Sequence, residues 1–135
     1  MPRRFLIASA DEGTRLQVRR AFNQFDVEPE ECAGAMEAFA SLHRGYEGVV
    51  LDCEDVELSL QLLAGVRSGS EHNDTSIIAL LPAGTPVKEA LNAGANLAVY
   101  KPVRSDHLAT SLRVSFRLAR PSERERSAPI KVEAK

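Results

Sequence analysis

The stretch VVLDCED, Val49 to Asp55, begins as an apolar run and ends on three carboxylates within four residues. Val49, Val50 and Leu51 have the character of a parallel strand buried on both faces, which reads as continuous apolar sequence rather than alternation. Asp52 then marks the point where that strand reaches solvent. Working outward, the same signature recurs in RFLIAS (4–9), GVVLD (48–52), SIIALL (76–81) and NLAVY (96–100). VEPEEC (27–32) is a weaker candidate, and Pro29 restricts it to an edge because proline cannot donate to a ladder.

Helical spacing fills the intervals. Val18, Ala21, Phe22 and Phe25 follow the i, i+3, i+4, i+7 pattern, as do Ala35, Ala38, Phe39 and Leu42, with Gly45 as the stop after the second set. Leu58, Leu62, Leu63 and Val66 form the apolar stripe of a third helix before the polar loop RSGSEHNDT. Thr85 and Pro86 read as an N-cap and first-turn pair, Gly94 as a C-terminal stop. Leu108, Leu112, Phe116 and Ala119 mark a last helix. Five strands alternating with five helices predict an α/β domain, a doubly wound parallel sheet in three layers, because right-handed crossovers place helices on both faces. In that architecture chemistry sits outside the carboxyl ends of the strands, where Asp52 emerges.

Composition bounds the function. A chain of 135 residues reads as one domain, able to bury about 68–70% of the surface its unfolded form exposes. With 44% hydrophobic and 27% charged residues and a formal net charge of -2, neither nucleic-acid binding nor polybasic membrane attachment is indicated. Cys32 and Cys53 lack CxxC or Cys/His ligand spacing, which suits a reduced pair in the cytoplasm. His43, His72 and His107 are scattered and support neither a metal site nor a Ser/His/Asp triad. Neither GxxxxGK[ST] nor GxGxxG occurs. Residues 120–135, RPSERERSAPIKVEAK, turn abruptly to charged and small residues and read as a disordered tail or linker after a domain spanning 1–119.

The stretch ALNAGANLAVYKPV (90–103) adds a more specific signal. Its Ala93-Gly94-Ala95 and Lys101-Pro102 resemble the end of the fourth helix, the fifth strand and the following turn of response-regulator receiver domains. VVLD resembles the third strand of that family, which ends on the phosphoacceptor aspartate, and the likeness runs from residue 4 to about 119. It implies a flavodoxin-like sheet of order 2-1-3-4-5, Asp52 as acceptor, Lys101 as its charge partner, and a cis bond before Pro102. Chemically, a carboxylate can act as a nucleophile toward a phosphoryl group, and an ammonium beside it offsets the added negative charge.

Three positions depart from the family. Ser9 and Ala10 stand where receivers carry two adjacent acids that help hold magnesium, leaving Asp52, with Glu54 as a second ligand at best. Asp11 and Glu12 follow one place later and read as the opening of the first helix, where acids suit the dipole. Leu81, followed by Pro82, replaces the Ser or Thr that binds the phosphoryl group. Ala98 replaces the switch aromatic, with Tyr100 nearby as a half-buried edge residue.

The expectation is a degenerate or pseudo-receiver: a non-enzymatic cytoplasmic signalling module with impaired phosphorylation at Asp52 that contacts a histidine kinase or an effector protein. A fully phosphorylatable receiver is the alternative, and an aspartyl-nucleophile phosphatase the third reading. The resemblance also implies a partner or homodimer face at 86–119, where Arg104, Arg113, Arg117 and Arg120 form a basic stripe. Cys53 reads as structural, since acidic neighbours oppose thiolate formation.

Overall fold

Apolar runs short enough for strands, separated by helical stripes, fold here as a single parallel sheet. The computed structural model describes residues 3–69 and 74–122. The elements in chain order are β1 (Phe5–Ala8), α1 (Glu12–Asn23), β2 (Glu30–Cys32), α2 (Ala35–Ala40), β3 (Gly48–Asp52), α3 (Val56–Ser68), β4 (Ser76–Leu81), α4 (Val87–Ala93), β5 (Leu97–Tyr100) and α5 (Ser105–Phe116). All strand pairs are parallel and the order is β2-β1-β3-β4-β5. The weak candidate strand is indeed at an edge. His72 and residues 123–135 of the expected tail lie outside the described residues.

Strand side chains alternate between two cores, as the period of two requires. Phe5, Ile7, Val50, Ile78 and Leu80 face α1 and α5, meeting Val18, Phe22, Leu108, Leu112 and Phe116. Leu6, Ala8, Val49, Leu51, Ile77, Ala79 and Leu81 face the other way, toward the layer containing Ala38, Leu63 and Ala90. Phe5, Phe22 and Phe116 form an aromatic cluster with ring centroids 5.3–6.1 Å apart. Gly48 makes that cluster possible: a Cβ there would lie 2.5 Å from the Phe116 ring.

At the opposite edge of the sheet from Asp52, Arg3 fastens two segments. Its guanidinium pairs with Glu47 at 2.8 Å and donates to the carbonyls of Phe116 (2.6 Å) and Arg117 (3.2 Å).

Four local expectations change. Helix α2 closes at Ala40, and a separate 3-10 turn over Leu42–Arg44 carries the chain to Gly45, whose φ of 84° ends it. At α4, Pro86 occupies the N-cap with extended ψ of 131°, and no side chain caps the helix; Thr85 is one residue too early. Leu58 is turned out of the core and is 40% exposed, leaving Leu63 as the fully buried residue of the α3 stripe. The basic stripe does not form, because α5 ends at Phe116 and Arg117 adopts a left-handed φ of 54°. Arg120 instead stacks on the Phe25 ring and donates to Gln24 Oε1 at 3.0 Å. Ala119 lies beyond the helix for the same reason.

Candidate functional site

Three chain segments converge at the carboxyl edge of the sheet. Asp52 is the last residue of β3, and Cys53 N donates to Leu80 O at 2.9 Å, which keeps the strand paired with β4 up to this point. Lys101 follows β5, its own N–H bonded to Leu81 O at 2.8 Å. Since β3, β4 and β5 are neighbours, these strand ends come together, and Lys101 Nζ lies 3.0 and 3.1 Å from Asp52 Oδ1 and Oδ2. The Lys101–Pro102 peptide bond is cis, as the resemblance implies.

Ser9 is the third member. It follows β1, whose Ala8 is paired with Leu51, so Ser9 is level with Asp52 across the ladder. Ser9 N donates to Cys32 O at 3.0 Å, and its hydroxyl donates to Asp52 Oδ2 at 2.7 Å. The same Oγ accepts from Asp11 N at 3.1 Å, and Arg15 Nε donates to Ser9 O at 2.5 Å. The Asp52 side chain is 0% exposed, against 23% for Lys101. A buried carboxylate needs its oxygens satisfied, and this one has an ammonium on both oxygens and a hydroxyl on one.

The neighbouring acids have other duties. Asp11 caps α1: its Oδ2 accepts from Thr14 Oγ1 (2.6 Å) and Thr14 N (2.9 Å). Those bonds hold its carboxyl below the usual carboxylate range. Asp55 caps α3, accepting from Leu58 N at 3.1 Å. Ala10 has no ligand to offer, and Glu54 is exposed on the loop after β3. Among the described residues no three His, Cys, Asp or Glu side chains converge as a metal site. Magnesium takes a near-octahedral oxygen shell, commonly one or two carboxylates with waters and phosphate oxygens; here Asp52, engaged by Lys101 and Ser9, is the carboxylate at the strand ends, with Glu54 exposed beside it.

Leu81 is buried at the end of β4. Thr75, at the start of the strand, donates to Tyr46 O at 3.2 Å, and Thr85 lies past its end. No hydroxyl therefore stands at the position of Leu81. Tyr100 is 46% exposed, and its hydroxyl donates to Thr85 O at 2.6 Å, tying β5 to the loop before α4. Cys53 is buried, and burial pushes its thiol up to about 11, consistent with a structural role. His43 Nδ1 lies 3.1 Å from Ala40 O and His107 is exposed, both away from Asp52 in the fold.

The resemblance brought Asp52 and Lys101 together correctly in space. It treated Ser9 as a missing acid; the strand order sets β1 beside β3, and the hydroxyl's bond to Asp52 is what the structure adds.

No protein-family model matches this chain, and no curated protein matches it. Solved structures do. A response regulator from Thermotoga maritima superposes with a TM-score of 0.74 at 24% identity, covering 87% of this chain and 99% of that one. The receiver domain of a sensor histidine kinase from Pseudomonas aeruginosa, with magnesium coordinated in its active-site cleft, gives 0.72 at 20% identity over 87% and 99%. The signal receiver domain of a DNA-binding response regulator from Colwellia psychrerythraea gives 0.72 at 20% over 86% and 99%. These likenesses establish that the chain has the receiver-domain fold.

Proposed function

We propose that this chain is a receiver-like signalling module that acts by contacting other proteins, with phosphoryl transfer to Asp52 impaired. The observation that carries this reading is the 2.7 Å bond from Ser9 Oγ to a completely buried Asp52 carboxylate. Phosphoryl transfer is accelerated by positioning the nucleophile and by neutralising charge on the transferred group. Here the nucleophile is shielded, the cation at hand is Lys101, and Leu81 offers no donor to the incoming oxygens.

The module is non-enzymatic and cytoplasmic in this reading, and a histidine kinase or an effector protein is its partner class. The 86–119 face remains a proposed surface for self-association. The fold accommodates the alternative of a working acceptor through one feature, the contact of Lys101 Nζ with both Asp52 oxygens.

Intact-mass measurement after incubation with acetyl phosphate and magnesium, beside an Asp52→Asn variant, separates the two. The expected result is no phosphoryl increment in a folded parent protein. An increment in the parent that is absent from the variant would establish the alternative.

A further inference from the structure

A cleft of about 270 Å³ between the start of α2 and the start of α3 has Asp52 itself among its lining residues. Two large apolar side chains line it, Met36 (64% exposed) and Leu58 (40% exposed). A lone exposed apolar residue is ordinary; here two share one concave surface, and contiguous exposed apolar area is where proteins make contacts. Small residues, Ala33, Gly34 and Ser59, share the lining, and nothing lies within 4 Å of where a Cβ on Gly34 would stand.

Its rim is acidic. Glu37, Glu54 and Asp55 line it, and residues 33–41 and 53–66 together hold none of the chain's 17 lysines and arginines. Several acids of the protein are in ion pairs, among them Glu47 with Arg3, Glu30 with Arg4, Glu31 with Arg19 and Asp52 with Lys101. Among the described residues Glu37 and Glu54 have no such partner. Apolar side chains inside an unneutralised acidic rim complement an aliphatic anchor flanked by cations.

We infer that this cleft docks a basic, amphipathic segment of a partner protein, an aliphatic side chain seated between Met36 and Leu58 with lysines or arginines against Glu37 and Glu54. The inference rests on the protein-contact reading above and gives that contact a place distinct from the 86–119 face.

Met36 is the sole methionine besides Met1, so methyl-labelled methionine gives one reporter in the cleft. The probe is a short blocked peptide with leucines and lysines at helical spacing; one control replaces its leucines by serine. The leucine peptide should shift the Met36 methyl resonance saturably and the serine peptide should not. Combining Glu37→Gln with Glu54→Gln, both exposed, should weaken the response about tenfold. No shift, an equal shift from the serine peptide, or an unchanged response in the double variant would overturn the inference.

The acetyl phosphate assay is independent of this one. No phosphoryl increment with no Met36 response would retain the impaired-phosphorylation reading and remove this cleft. An increment together with a Met36 response would do the reverse.

Discussion

Ser9 Oγ and Asp52 Oδ2 lie 2.7 Å apart on neighbouring strand ends, a hydroxyl held where an acid would repel. The carboxylate accepts from this hydroxyl and from Lys101 Nζ, and the two contacts can be separated by substitution.

Ser9→Ala removes a hydrogen bond to a buried charge, for which about 1.5–3 kcal/mol is the ordinary contribution. Urea unfolding should show a lower midpoint with an unchanged slope. A neutral result would mean that the bond adds nothing to Asp52.

Ser9→Asp sets a second carboxylate beside Asp52, which disfavours the doubly charged pair. The variant should melt below the parent, and added magnesium should raise its melting temperature while leaving the parent's unchanged. Equal magnesium responses would show that the serine is irrelevant to ion binding.

Lys101→Met and Asp52→Asn break the same pair with unequal results. The first leaves a fully buried carboxylate without its cation, a situation that costs about 3–5 kcal/mol. The second leaves a lysine whose side chain is 23% exposed and can turn to water. Chemical denaturation should therefore rank Lys101→Met as the more damaging; the opposite order would contradict the burial of Asp52.

Gly48→Ala should destabilise by about 1–3 kcal/mol through overpacking, because its Cβ would run into the Phe116 ring. Combined with Phe116→Leu the loss should fall short of the sum of the single losses, since the two residues share one space. Strict additivity would rule out that clash.

Acid should weaken the β2 edge. The Tyr46 hydroxyl, and then Arg4, hold the Glu30 carboxyl below its ordinary 4.5. A carboxyl with a depressed folded pKa stabilises fully above its unfolded value and loses that contribution as pH falls through the folded value. The drop in urea midpoint from neutral pH to below 4.5 should be smaller in Glu30→Gln than in the parent. An equal drop would assign the acid sensitivity to other groups.

Much of the fold was legible because each buried strand is a short apolar run and each helix carries a stripe. The failures came where local pattern competes with backbone geometry. Leu58 fits the helical spacing, yet it sits in the first turn of α3 and faces the cleft rather than the core. Arg117 and Arg120 fit a stripe only if α5 continues, and the left-handed Arg117 ends it. At the site, Asp52 and Lys101 were legible through paired motifs at two strand ends. The role of Ser9 was not, because substitution of an acid by serine reads as loss until the strand order makes the two side chains neighbours.

Arg3, bound to Glu47 and to the carbonyls of Phe116 and Arg117, brings the start of β1 and the end of α5 to the same edge. Attachments joined through either of these segments depart from the side of the sheet opposite Asp52. A fluorophore, tag or immobilising handle near residue 3 or residue 117 thus leaves the Asp52 cleft facing free solution. The same geometry makes a circular permutation feasible in which the segments at residues 3 and 117 are joined across the Arg3 clasp.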